Sequence, residues 1–439
     1  MINQSIRRLW AHFSSDSLFR NSVYLMLSTG VMGVLGFLFW ILASHLYAPS
    51  DIGLATSIIS AAGLMVGLST LGLNNVLIRF LAQSSERLLL FSTSFVLTTI
   101  TSVIVSLAFI LWASLSHSPL LAKSPVVVST LFAFYVVTLT MNGMIEGAFI
   151  AHRVAKYVFF KNLWLSLSKI ALLLVFIRTA YLGIVAATLF ATLIGVSLGL
   201  IILVRRLHYS HNFSLGLSTL SKMRSFAIGN YVGSIFGMLP STLMPLIVLS
   251  RLGASSAAYY YIPAMILALL NVIPSATAQS LFAEVSHDEE NLRHYILQAL
   301  RNLFALLIPA TALVIVFAPI ALGLFGHTYQ SEGTVVLRIL ALSSLFGGMN
   351  YIGDAILNIQ KRPVAYIIMN VLNSILVVGL GYIVAPHGLV AIALATLVGQ
   401  IITIIIYVIV NIPLIGRLSG FHHGLDKGRK RNSDTTPST

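Results

Sequence analysis

The stretch SVYLMLSTGVMGVLGFLFWILASHL, Ser22 to Leu46, holds no Asp, Glu, Lys or Arg and stops where Tyr47-Ala48-Pro49 interrupts the run. A helix rises 1.5 Å per residue, so about 20 apolar residues cross the ~30 Å hydrocarbon layer of a bilayer. This run is long enough to cross with some tilt. Apolar runs bounded by charge, proline or loop residues recur along the chain and predict twelve such helices. They are α1 Ser22 to Leu46, α2 Ile52 to Leu73, α3 Leu88 to Leu115, α4 Val126 to Ile150, α5 Tyr157 to Ile177 and α6 Tyr181 to Val204. The second set is α7 Ser225 to Ser250, α8 Ala257 to Phe282, α9 Leu297 to Leu324, α10 Gly333 to Leu357, α11 Pro363 to Ala385 and α12 Gly388 to Asn411.

Composition agrees with that count. Of 439 residues, 57% are hydrophobic and 9% charged, where a globular domain has about 25% charged residues. Twelve spans of ~20 residues use ~240 positions, close to the whole apolar content, so little chain is left for a water-soluble catalytic domain. The first run is too long, and lacks a small-x-small cleavage site, for a signal peptide. Cysteine is absent, which excludes disulfide staples, thiolate catalysis and Cys-based metal sites.

Basic residues outnumber acidic ones 26 to 12, a net charge of +14. In a membrane protein such an excess sets topology, because Lys and Arg collect in cytoplasmic loops. With twelve crossings, 21 basic residues, Lys161 among them, fall on the side of both termini and four, Lys123, Arg178, Arg251 and Arg338, on the other; Lys169 lies within α5. The expectation is a multi-pass protein of the inner or plasma membrane with both termini cytoplasmic. Ile6, Leu9, Trp10 and Phe13 recur at helical spacing opposite Arg7, Arg8 and His12, the pattern of an in-plane interfacial helix. The organisation expected is an interfacial helix over 1–20, a six-helix bundle over 21–204 and a cytoplasmic linker over 205–224. A second six-helix bundle over 225–411 and a basic disordered tail over 412–439 complete it.

The two bundles are expected to be copies. Ser44-His45-Leu46-Tyr47-Ala48-Pro49-Ser50 returns as Ser250-Arg251-Leu252-Gly253-Ala254-Ser255-Ser256, at an offset of 206. Met141-Asn142 with Glu146 returns as Met349-Asn350 with Asp354, and Asn162 as Asn370, both at 208. Ala191-Thr192-Leu193-Ile194-Gly195 returns as Ala395-Thr396-Leu397-Val398-Gly399, at 204. Three motifs in order at nearly constant offset predict an all-α membrane protein of two pseudo-symmetric six-helix bundles. Parallel repeats of this kind are a transporter layout.

The chain has no Gly-x-x-x-x-Gly-Lys-Ser/Thr phosphate loop and no His/Glu cluster at zinc spacing. No cofactor or metal is expected, and Asp288-Glu289-Glu290 reads as a solvated inner loop. Polar residues inside spans carry the information, because a charge at the bilayer centre costs at least ~2.5 kcal/mol. Lys169 lies twelve residues into α5, ~18 Å from its inner end and slightly past the midplane, on one face with Asn162 and Ser166. It is a candidate substrate-binding residue, with snorkelling to the headgroups as the alternative. Asn142 and Glu146 on α4, and Asn350, Asp354 and Asn358 on α10, form i, i+4 stripes that suit ion coupling or helix-to-helix hydrogen bonding. α7 carries Gly229, Gly233 and Gly237, then Pro240 and Pro245; α8 carries Pro263 and Pro274. The prolines predict bends. Asn230, among those glycines, is a further candidate for substrate contact.

The segments LASHLYAPSDIGLATS from Leu42, STLGLNNVLIRFLA from Ser69, AQSLFAEVSHDEENLR from Ala278 and ALGLFGHTYQSEGTVVLRILALS from Ala321 resemble the prokaryotic polysaccharide and lipid-linked oligosaccharide flippases of the O-antigen type. These belong to the superfamily that also holds the multidrug and toxic-compound extruders. The resemblance covers residues 18 to 411 and implies a V-shaped pair of bundles, with a cleft lined by the first two helices of each half. It implies as cargo an oligosaccharide on a polyprenyl pyrophosphate, turned from inner to outer leaflet for cell-surface polysaccharide assembly. Membrane lipid, and a polysaccharide polymerase or glycosyltransferases, are the expected partners; nucleic acid is not. Basic residues in such a cleft meet pyrophosphate or acidic sugars. Arg79 matches the family's frequent basic residue near the inner end of α2, and Arg251 occupies the outer end of α7; interfacial anchoring is the alternative for both. The peptidoglycan-precursor branch, with fourteen helices and a charged first one, fits less well. Drug export coupled to a cation is the second reading, and a membrane enzyme of polysaccharide assembly, which the short outer loops disfavour, the third.

Overall fold

The computed structural model of the chain describes residues 17–122, 124–209, 224–287 and 291–431, with the backbone alone for 17–19, 224–230, 283, 286–287 and 411–431. The expected interfacial helix up to residue 16, Lys123, most of the linker and Asp288-Glu289-Glu290 lie outside the described residues.

Twelve helices are long and apolar enough to cross a membrane. α1 is Ser17–Leu46, α2 Pro49–Ser69, α3 Arg87–Leu115, α4 Pro125–Ala151, α5 Ala155–Val175, α6 Tyr181–Leu207, α7 Arg224–Leu252, α9 Leu292–Gly323 and α10 His327–Ile359. α8 comes in two pieces, Ala254–Leu270 and Val272–His287, and α11 starts as Pro363–Ser374, passes through a π turn at Ile375–Gly379 and ends as Leu380–Val384. α12, Leu389–Arg431, stays helical through much of the region expected to be a disordered tail. The membrane helices tolerate their hydroxyls because these bond back to the preceding turn. In α3, Thr98 donates to the Ser94 carbonyl at 2.8 Å, Thr101 to Leu97 at 2.8 Å and Ser106 to Val103 at 2.9 Å, which spares these hydroxyls the cost of standing unpaired in hydrocarbon.

Two boundaries differ from expectation for local reasons. α2 stops at Ser69 because Leu71 and Gly72 both take positive φ, 49° and 72°; beyond that turn lies a separate short helix, Leu73–Phe80. α8 breaks after Leu270 because Pro274 has no N–H to return to that carbonyl. The chain resumes as Ser275 donates to the Asn271 carbonyl at 3.2 Å.

α1 to α6 pack on one another as one bundle, and α7 to α12 as another. We call the face holding the start of α1 proximal and the opposite face distal. On the distal side, one continuous apolar cluster takes in Phe39, Ile52 and Ile184 of the first bundle together with Val248, Ile262 and Leu337 of the second. On the proximal side the apolar clusters are separate: Val76, Ile145 and Phe149 belong to the first bundle, Leu281, Leu303 and Ile352 to the second. The apolar core is therefore continuous between the bundles distally, while proximally each bundle has its own core and the two meet along α2 and α7.

α2 makes the junction, packed on α7 and on the first piece of α8. Gly53 lies so close to the Ala254 carbonyl that a β-carbon would overlap it. Farther along, Ser57 donates to the Pro245 carbonyl at 3.4 Å and Tyr231 to the Leu68 carbonyl at 2.6 Å. The second piece of α8 packs on α9 and α10 instead. The break at Asn271 thus divides α8 between the junction and the second bundle.

Candidate translocation cleft

Trp40, Gly33 and Met26 succeed one another at seven-residue steps and so share one face of α1. Trp40, nearest the distal end, packs edge-on against Tyr261 of α8 with ring centroids 5.1 Å apart. Gly33, two turns lower, faces Leu269 of α8. Met26, two turns lower again, is 74% exposed. On α8 the wall continues from Tyr261 to Val272, half exposed, and Gln279, exposed. The two helices touch at Trp40–Tyr261 and at Gly33–Leu269, and below these contacts the exposed Met26, Val272 and Gln279, with Thr29 and Ser275, line the candidate cleft. Beside it, a groove of about 600 Å³ runs between α1 and α5, lined by Met26, Leu27, Gly30, Val34, Leu163 and Leu167. Met26 belongs to both, so groove and cleft adjoin along α1.

Lys169 lies near the upper end of this wall. Its Nζ sits 4.0 Å from the centre of the Phe39 ring and 5.7 Å from that of Trp40, within the range at which ring faces attract a cation. Among the described residues it makes no hydrogen bond or ion pair. Its face-sharing neighbour Asn162 donates to Ser28 of α1 at 3.2 Å, which fixes the α1–α5 register below it.

Near the proximal end each bundle holds one carboxylate, in contrasting company. In the first, Lys161 Nζ lies 2.8 Å from Glu146 Oε1 and also donates to Asn142 Oδ1. The side chain of Lys161 is fully buried and that of Glu146 is 28% exposed. Lys161 is therefore not one of the charges of the inner surface, as its sequence position suggests. It belongs to a buried pair, because its place as the seventh residue of α5 points it at the Glu146 stripe. In the second bundle Asp354 accepts from Asn370 Nδ2 at 3.0 Å and from the Tyr407 hydroxyl, and Asn350 donates to Gln400 Oε1. No Lys or Arg pairs with Asp354 among the described residues. Gly353 gives the Tyr407 ring its room, since a β-carbon there would meet the ring at 2.7 Å.

The remaining candidates stand apart. Arg79 is on the short helix Leu73–Phe80, exposed, with its guanidinium 5.4 Å from the Phe80 ring centre. Arg251 is at the distal end of α7, exposed and stacked over Tyr382 of α11 at 4.1 Å. For Asn230 only the backbone in α7 is described. Lys169, Arg79 and Arg251 therefore occupy three levels of the molecule and are not gathered into one pocket. Lys161, Gln400 and Tyr407 do not stand out in the sequence. The 15-residue separation of Lys161 from Glu146 across the α4–α5 turn, both set inside apolar runs, is the signal that could have found the first.

Two packed six-helix bundles arranged in this way are the fold of solved transporters of the MOP superfamily. The solved structure of a multidrug resistance MATE family transporter of that superfamily, in an inward-facing conformation, matches 91% of this chain and 99% of its own with a TM-score of 0.71 at 16% identity. A MOP superfamily transporter from Pyrococcus furiosus matches with a TM-score of 0.60 at 18% identity, over 92% of this chain and 96% of its own. An uncharacterized membrane protein of Methanocaldococcus jannaschii is 24% identical over 423 residues, 88% of this chain and 95% of that protein. Within this class, residues 18–283 match the family described as polysaccharide biosynthesis protein, and the chain belongs to that family. It is a multi-pass membrane protein of that family, with the fold seen in solved MOP superfamily transporters.

Proposed function

We propose that the protein turns a polyprenyl-pyrophosphate-linked oligosaccharide from the inner to the outer leaflet of the cell membrane, for assembly of a surface polysaccharide. The observation that carries this reading is the cleft between α1 and α8, which opens toward the proximal face beside an apolar groove and has one ammonium, Lys169, near its upper end. An amphiphile needs these three parts: a trough for the tail, neutral hydrogen-bonding groups such as Thr29, Ser275 and Gln279 for sugars, and a cation for phosphate. The family to which the chain belongs supports a glycan cargo. The 21-to-4 distribution of basic residues in the sequence, 20 to 4 once the buried Lys161 is set aside, supports a cytoplasmic proximal face, so that the cleft is open to the inner leaflet. We read the chain as a transporter rather than an enzyme, with the membrane-embedded cleft in place of a catalytic domain.

Drug export is the second reading, favoured by the fold shared with a multidrug resistance MATE transporter. Deleting the protein separates the two. Accumulation of undecaprenyl-type intermediates with head groups facing inward, at unchanged drug sensitivity, is the expected result. A normal surface glycan with heightened sensitivity to cationic drugs would replace the flippase reading by the exporter one.

A further inference from the structure

The distal contact between the bundles passes through a residue that also touches Lys169. Trp40 meets Tyr261 of α8 on one side, with ring centroids at 5.1 Å and planes at 61°. On its other side it meets Phe39, at 5.1 Å and 79°. The Phe39 and Trp40 rings both lie within 6 Å of Lys169 Nζ. Phe39 is wholly buried and Trp40 is 4% exposed, so neither ring has a second position in the packed junction without movement of its neighbours.

Ring faces are a partial substitute for a counterion. They offer quadrupolar attraction but no lone pair and no net charge. A phosphate oxygen offers both, and a charge-assisted hydrogen bond to an ammonium is the stronger contact in a low-dielectric surrounding. An anion that arrives along the Met26–Gly33–Trp40 face of α1 therefore competes with the rings for the same ammonium.

We propose that Trp40 is a positioning residue that ties occupation of Lys169 by an anionic head group to the distal contact between the bundles. With the cleft empty, Lys169 rests on Phe39 and Trp40 and helps hold Trp40 against Tyr261. A phosphate in the cleft draws the ammonium off the rings and loosens the Trp40–Tyr261 contact, which has to part before the cleft can open on the distal face. The coupling rests on the reading of the cargo as a phosphate-bearing amphiphile. It is reciprocal: weakening the aromatic contact must strengthen anion binding by the same factor.

The test uses the full chain in nanodiscs, with geranylgeranyl pyrophosphate as the anionic probe and geranylgeraniol as its uncharged control. Phe37 and Phe325 pack edge to face across the junction at 5.2 Å, so cysteines at these two positions report distal closure by their rate of cross-linking in a protein without other cysteines. The pyrophosphate should slow cross-linking several-fold in the otherwise unchanged protein and in Lys169→Arg, but not in Lys169→Gln; geranylgeraniol should leave it unchanged. Tyr261→Ala, measured with the native Phe37 and Phe325, should bind the pyrophosphate about fivefold more tightly or better. Probe binding with no change in cross-linking, an equal slowing in Lys169→Gln, or unaltered affinity in Tyr261→Ala would overturn the coupling and leave the cargo reading standing. Failure of the unchanged protein to bind the pyrophosphate more tightly than the alcohol would overturn both.

Discussion

Lys161 and Glu146 form an ion pair 2.8 Å long at a position where the second bundle has no cation among its described residues. The residue that corresponds to Lys161 at the 208 offset is Met369, itself buried, and Asp354 is held by a tyrosine hydroxyl and an amide instead. The internal repeat therefore preserves the carboxylate and changes what neutralises it.

Removing one partner of a buried pair leaves the other charge unsolvated, at a cost of about 3–5 kcal/mol. Because Glu146 keeps partial exposure, Lys161→Met should fall at the low end, about 3 kcal/mol. The double variant Lys161→Met/Glu146→Gln should recover most of that loss. Thermal unfolding of the purified variants measures both; equal stability of Lys161→Met and the unchanged protein would show the pair to be dispensable.

With Glu146 matched internally, Asp354 is the carboxylate left for ion exchange. It lies only about a turn and a half from the end of α10, short of the depth at which coupling sites of such repeats usually lie. A pyrophosphate head with about two negative charges gains ~2.3 kcal/mol per charge per 100 mV on moving outward across an inside-negative membrane, roughly 4–5 kcal/mol in all. Flipping in proteoliposomes should therefore follow the imposed potential and persist in Asp354→Asn. A rate that tracks a proton gradient at zero potential, and vanishes in Asp354→Asn, would make coupling through Asp354 the drive.

Outside the spans, His152 Nε2 lies 2.7 Å from the Tyr209 hydroxyl, between the ends of α4 and α6. Burial lowers the His152 pKa from its ordinary 6.5, and Arg87 lowers it further; burial pushes Tyr209 up to about 12. A histidine held neutral binds fewer protons folded than unfolded, so its penalty is absent above pH 6.5 and grows as pH falls toward the lowered value. Thermal stability should decline from about pH 7.5 to about pH 5.5, and His152→Gln should flatten part of that decline. An identical pH profile in the variant would remove His152 from the account.

Ser85 and Ser116 sit in loops on opposite faces. As single cysteines they should label from opposite sides of intact cells, Ser85→Cys from within and Ser116→Cys from outside. Reversed labelling would place the cleft mouth on the outer leaflet.

The number of spans, the two bundles and their repeat are legible because apolar length and motif offset are properties of the sequence alone. The burial of Lys161 is not, because a lysine in the first turns of α5 reads as a charge at the inner surface, and the partner that buries it, Glu146, is on another helix. Lys169 stands out as a charge in an apolar run, but Phe39 and Trp40 read as ordinary core aromatics. The pattern puts Arg79 at the end of α2, and the turn at Leu71-Gly72 that detaches it rests on backbone angles that hydropathy does not carry.

The missing N–H of Pro274 bears on what the lipid tail of a cargo would experience. Each CH2 moved from hydrocarbon into water costs about 0.8 kcal/mol, so a carrier with tens of carbons could not pass through an aqueous pore. Because α8 divides at Asn271, its upper piece stays sealed on α2 while its lower piece packs on α9 and α10, and an opening between that lower piece and α1 would be a slot along the membrane rather than a channel through it. A head group can travel along such a slot with its chain still immersed in lipid, as a card is drawn through a reader, and the largest solvation cost of the crossing never arises.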